Sequence, residues 1–173
     1  MKLATLEAIF RSLAAADVRY VVVGGVAVNA HGYLRATMDL DLVVGLAEDN
    51  VRHALAAFAA LGYRPQVPVA LEDFADAALR EMWAAERNMQ VFSLVSDTHA
   101  DTTVDLFVSE PFDFTPAYDA SDRVEIAAGV DACILNLPAL IAMKRTAGRD
   151  RDRDDVEHLT MLREESERGM RDG

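Results

Sequence analysis

The sequence is poor in the groups that hold small secreted or metal-stapled proteins together. A single cysteine, Cys133, excludes any disulfide within the chain. It lies in the apolar stretch VDACILNL, where a buried, inert thiol is expected. The four histidines and this cysteine form no zinc-ligand spacing. Long apolar runs are also missing. The longest, near Tyr20 to Ala30, falls short of the roughly 20 residues that span a bilayer. The N-terminal MKLATLEAIFRSLAAADVRY carries Glu7 and Arg11 inside its apolar pattern, so it reads as an amphipathic helix and not a signal peptide. A soluble, cytoplasmic protein with no membrane partner is the expectation.

Positive charge is scarce as well. Lys and Arg total 17 against 29 Asp and Glu, a net charge of -12. That balance argues against stable binding of duplex DNA, which needs a cationic surface. The exception is KRTAGRDRDR, Lys144 to Arg153, where basic residues outnumber acidic ones. It is either a solvated helix junction or a place where phosphate is met.

What is present is ordinary for a folded domain: 51% hydrophobic and 27% charged residues, with no repeat, low-complexity tract or Pro/Gly linker. One domain is expected over 1–173, with a core at about 3–135 and a helical part at about 137–171. Apolar spacing predicts a helix over Leu3 to Ala16, then the strand YVVV ended by Gly24-Gly25, and a short helix from Val26 to His31. LRATMDLDLVVG reads as a strand and Leu46 to Leu61 as a helix, followed by another helix over Leu71 to Ala85. Met89 to Val95 and Thr102 to Val108 read as an antiparallel pair, and Arg123 to Ile126 as a short strand. Pro138 suits a first helical turn and Gly148 a stop, with a charged helix over Asp152 to Glu165. His31 is expected as a hydrogen-bonded residue at a helix end, and Trp83 and Met82 as packing residues. The predicted class is α/β (α+β), a mixed sheet covered by helices with a helical C-terminal segment.

The chemistry concentrates on three aspartates. Residues two apart on a strand share a face, so Asp39 and Asp41 present two carboxylates together while Leu40 and Leu42 face away. Such neighbours repel unless a cation lies between them. Asp105, in the apolar strand TVDLF, carries a desolvation cost of several kcal/mol or so unless it too is paired or bound to metal. Hard oxygen donors of this kind favour Mg²⁺ or Mn²⁺. Gly24-Gly25, at a strand end before a helix, lets backbone N–H groups approach the oxygens of a nucleoside triphosphate. Thirteen residues, Val26 to Met38, carry the chain from this turn to Asp39, enough for a short helix and a return to the adjacent strand. An Asp-x-Asp alone also occurs in ordinary turns and in glycosyltransferases. Its specificity here lies in the combination with the glycine turn and a downstream strand aspartate.

GGVAVNAHGYLRATMDLDLVV, Gly24 to Val44, resembles the signature of the DNA polymerase beta superfamily of nucleotidyltransferases, with Asp105 matching its third carboxylate. The H-G-x-x-R-x-T ahead of Asp39 and the run from Lys144 to Asp155 look like the abortive-infection type branch, often toxins of toxin-antitoxin modules. The resemblance covers about Leu3 to Leu162 and implies a palm-type sheet, Mg²⁺ and NTP use, and transfer of a nucleoside monophosphate. It implies Asp39, Asp41 and Asp105 as metal ligands, Gly24 and Gly25 as the phosphate turn, and Lys144 as a triphosphate contact. Arg35 and Thr37 would orient the metal strand or the substrate, and Asp152 and Asp155 match acidic positions of the C-terminal motif. Gly25 stands where many members carry serine, so a hydroxyl contact to phosphate is absent, although the Gly-Gly form recurs in the toxin-like branch. The acceptor stays open among tRNA, a protein hydroxyl and a small molecule such as an aminoglycoside, and a cognate antitoxin is a further expected partner. Two alternatives stand beside this reading: a non-catalytic nucleotide- or partner-binding module of the same fold, and a nucleotide-sugar glycosyltransferase using Asp39 and Asp41.

Overall fold

The computed structural model describes residues 1–169. In chain order it contains α1 (Leu3–Ala15), β1 (Tyr20–Val22), α2 (Gly24–Ala30), β2 (Asp39–Val44), α3 (Glu48–Ala60), β3 (Tyr63–Pro65), a 3-10 turn (Leu71–Ala75) and α4 (Ala77–Arg87). There follow β4 (Val91–Ser96), β5 (Thr103–Phe107), α5 (Phe114–Asp119), β6 (Asp122–Ala127), β7 (Val130–Ile134), α6 (Leu137–Ala147) and α7 (Asp150–Gly169). The strands form one mixed sheet in the order β3-β4-β5-β2-β1-β7-β6. β2 pairs antiparallel with β1 and parallel with β5, which continues antiparallel to β4. The fold is mixed α/β, as predicted, with a helical C-terminal segment.

Alternation along the central strands sorts the two faces. Leu40 and Leu42 are fully buried, in register with Val104 and Leu106, and Phe92 faces Leu106 from β4. Trp83 of α4 and Phe74 of the 3-10 turn pack on Phe92, with ring centroids 5.3 and 5.2 Å away. Phe10 of α1 stacks on Tyr20 at 5.8 Å, on the same side of the sheet. This face is therefore the closed, apolar one. The opposite face carries Asp39, Asp41, Asp105 and Phe107. Near it lie α2, which contacts β2 and α6, and the α6–α7 pair. Leu140 and Leu159 bury those two C-terminal helices in the same core.

Several elements depart from expectation for local reasons. The helix over 71–85 is broken at Asp76, whose carboxylate accepts from the N–H groups of Ala78 and Leu79 and starts α4 afresh. The strand expected from Leu34 begins only at Asp39, because the Asn29 side chain takes both backbone groups of Arg35, at 2.9 and 3.0 Å, in place of a strand neighbour. The stretch around Cys133 forms β7, a strand that its continuous apolar character does not separate from a helix. The short β3 and α5 were likewise not anticipated. His31 does end α2, its Nε2 lying 2.8 Å from the Leu135 carbonyl oxygen. Among the described residues, no helix is long and apolar enough to cross a membrane.

Candidate active site

β-sheet register brings the carboxylates together. Asp41 and Asp105 are direct partners across the parallel β2–β5 pair, and Asp39 faces Thr103 one step along the same face. Neighbouring strands lie about 4.8 Å apart, so the two backbone positions are as close as strand geometry allows. Asp39 is exposed, whereas Asp41 and Asp105 are half-buried.

The glycine turn closes on these strands. Val23 donates its N–H to the Asp41 carbonyl at 3.0 Å, which ties the end of β1 to the acidic position. Gly24 then adopts φ +62°, and a Cβ there would fall 1.9 Å from the Asp41 Oδ2. At Gly25 a Cβ would fall 2.6 Å from the Thr37 Oγ1. Glycine is required at Gly24 twice over, by its left-handed backbone and by the carboxylate beside it.

Electrostatics follow from this crowding. Asp41 is pushed up to about 6, first by burial and then by Asp105 and Asp39, with the Gly25 amide and Lys144 pulling the other way. Burial also raises Asp105, opposed by the Ser93 hydroxyl on β4 and reinforced by Asp39. The Asp105 Oδ1 is buried and has no hydrogen-bond partner among the described residues.

No protein-family model matches the chain, and neither does any curated protein.

A buried salt-bridge network braces the site from behind. Asp155 of α7, only 1% exposed, accepts from Lys144 Nζ at 2.6 Å and from Arg35 Nη2 at 3.2 Å, with Arg35 Nε 2.9 Å away. Lys144 also reaches Asp152 at 3.2 Å. The predicted triphosphate contact is thus held between two carboxylates, and Asp155 stands outside the cleft wall while Arg35, Lys144 and Asp152 line it. One cleft of about 1050 Å³ gathers Gly24, Gly25, Thr37, Asp39, Asp41 and Asp105 with these three. Of the residues singled out from the sequence, only Asp155 lies behind it.

The cleft also includes residues that sequence reasoning missed. Asn88, Gln90, Phe107 and Phe112 form part of its wall, beside Arg149 and Arg151 of the basic run that the sequence does single out. Phe107 had a usable signal, since it lies two residues beyond Asp105 on the same strand face. Asn88 and Gln90 carried none.

A divalent metal is tested by the donors themselves. Three carboxylates, burial and mutual repulsion that raise Asp41, and an unpartnered buried oxygen on Asp105 fit the chemistry of Mg²⁺ or Mn²⁺. As placed, the side chains are not closed into a cage: among the described residues, no group of three or more His, Cys, Asp or Glu is gathered to hold a metal. Carboxylates this close repel one another unless a cation lies between them.

Proposed function

We propose that the chain is a nucleotidyltransferase that transfers a nucleoside monophosphate from an NTP to an acceptor hydroxyl. The observation that carries this reading is the register pairing of Asp41 with Asp105, directly beside the Gly24-Gly25 turn and within one cleft. Asp39, Asp41 and Asp105 would hold Mg²⁺ or Mn²⁺. The metal would supply charge neutralisation at the phosphates during in-line displacement.

The remaining work falls to the chain's own groups. The acceptor oxygen bonds to the α-phosphorus as the bond to the bridging oxygen of pyrophosphate breaks, and the acceptor proton must leave. Asp105, with a buried oxygen free of partners among the described residues, suits the role of base. Arg149 and Arg151 are suited to the departing pyrophosphate, and the Lys144 ammonium to the triphosphate once it exchanges a carboxylate oxygen for a phosphate oxygen.

We place the protein in the cytoplasm, as a candidate toxin with a cognate antitoxin and with tRNA or protein among its acceptors. Incubation with Mg²⁺ and each α-labelled NTP, total tRNA and host lysate protein, beside an Asp39→Ala/Asp41→Ala control, tests the activity. Label on RNA or protein with wild type alone is expected. Neither transfer nor metal-dependent NTP binding would turn the reading to a non-catalytic module. Induced expression should arrest growth and Asp39→Ala should relieve it; unaffected growth at high expression would remove the toxin role.

A further inference from the structure

We infer that Asn29 is a positioning residue for the triphosphate: its amide fixes the backbone of Arg35 so that the Thr37 hydroxyl stands beside Gly25 and donates to a phosphate oxygen there. The inference rests on the transfer reading above and adds to it the residue that sets this wall of the cleft.

Residues 33–38, between α2 and β2, belong to neither helix nor strand. Burial alternates along them. Arg35 and Thr37 are half-buried and line the cleft, whereas Leu34, Ala36 and Met38 are exposed, Leu34 by 82% and Met38 by 67%. Apolar packing therefore does not hold residues 34–38. Two polar anchors do, and both act on Arg35. Asp155 takes the far end of its side chain, with Nη2 at 3.2 Å and Nε at 2.9 Å. Asn29, in the last turn of α2, takes its backbone: Oδ1 accepts from the Arg35 N–H at 2.9 Å, and Nδ2 donates to the Arg35 carbonyl at 3.0 Å. A guanidinium held at the end of a long stem leaves its own main chain free to turn. The two-point amide clamp fixes the peptide groups on both sides of Arg35, and with them the side to which residue 37, two positions on, presents its side chain.

That side faces the glycine turn. A Cβ on residue 25 would fall 2.6 Å from the Thr37 Oγ1, 2.8 Å from the Thr37 Cβ and 3.2 Å from the Arg35 Nη2. Thr37 and Arg35 thus fill the place that a side chain on residue 25 would take, and the hydroxyl beside the turn comes from residue 37. Its present bond is weak. Thr37 Oγ1 donates to the Asp39 carbonyl at 3.3 Å, longer than the about 2.7–2.8 Å usual for O–H···O. Turning to a charged phosphate oxygen exchanges that contact for a shorter and stronger one. The Thr146 hydroxyl, which also lines the cleft, is committed to the Ala142 carbonyl of its own helix at 3.1 Å.

The test is calorimetric titration in Mg²⁺ with whichever α,β-methylene NTP analogue binds the wild type most tightly. Thr37→Val keeps the shape and removes the hydroxyl. It should weaken the analogue about tenfold, as expected for loss of a hydrogen bond to a charged group, while Thr37→Ser should stay within about twofold of wild type. Asn29→Ala should weaken the analogue about fivefold by itself and less than about twofold on top of Thr37→Val, because the amide acts through the hydroxyl. Asn29→Ser, too short to span both backbone groups of Arg35, takes its place if the alanine variant does not melt cooperatively. No loss from Asn29→Ala, or the same loss in both backgrounds, would overturn the positioning role. Equal losses from Thr37→Val and Thr37→Ser, or none from either, would overturn the role of the hydroxyl. A wild type that binds no analogue would instead bring down the transfer reading, and this inference with it.

Discussion

Asp41 is the residue on which charge, space and backbone meet. The folded chain holds its proton more tightly than an unfolded chain does, because its ordinary value of 3.8 is raised to about 6. Between those two values the native state binds more protons than the unfolded state, so stability falls as pH rises and the penalty is complete above about 6. In metal-free buffer, Asp41→Asn should therefore raise the melting point at pH 7, by on the order of 1 kcal/mol, with the gain vanishing below about pH 4. A variant that melts earlier at pH 7 would contradict this account. Adding Mg²⁺ should stabilise the wild type and leave Asp39→Asn/Asp41→Asn unmoved, since the metal binds only where the carboxylates remain. Gly24→Ala places a methyl 1.9 Å from the Asp41 Oδ2 on a backbone that disfavours any side chain. It should cost roughly 1–3 kcal/mol in urea denaturation and weaken NTP binding with it.

Between elements, the decisive contact is the hold of α7 on α6 and on the segment before β2. Asp155 takes two cations from two different parts of the chain, Arg35 and Lys144, in a buried setting. Removing one partner from such a network leaves charges uncompensated. Asp155→Ala should destabilise by about 3–5 kcal/mol in thermal unfolding. Pairing it with Lys144→Met should restore part of the loss, and strict additivity in that double-mutant cycle would mean that the two residues do not communicate. The same network explains why a sequence reading of Lys144 as a plain triphosphate contact was incomplete. Spacing revealed a lysine ahead of an acidic run, but which carboxylates fold back onto it depends on the Gly148 turn, where φ is +63° and the chain reverses from α6 into α7.

For the molecule as a whole, the C-terminal helices are part of the core and not an appendage, because Leu159 of α7 is fully buried among the same residues as the sheet. A chain ended after Gly148 should lose its cooperative unfolding transition, and retention of a sharp melt would show that the sheet stands without α7. Net charge of -12 predicts no retention of a duplex DNA fragment in a gel-shift assay at 0.15 M salt.

Much of this was readable from local pattern. The period-two alternation of DLDLVV separates a carboxylate face from an apolar one whatever the rest of the chain does, and Gly24-Gly25 marks a turn because glycine adopts the left-handed backbone, φ +62° at Gly24, at no steric cost. Pro138 in the first turn of α6, the stop at Gly148, and burial of Cys133 follow from equally local chemistry. Strand register is different, since it is a relation between segments far apart in sequence. Only the folded chain sets Asp105 opposite Asp41, places Phe107 and Gln90 on the wall across from the glycine turn, and commits Lys144 to Asp155. Local spacing determines what each segment can present to its surroundings; long-range packing, which minimises exposed apolar area and unpaired buried charge over the whole sheet at once, decides what it is presented to.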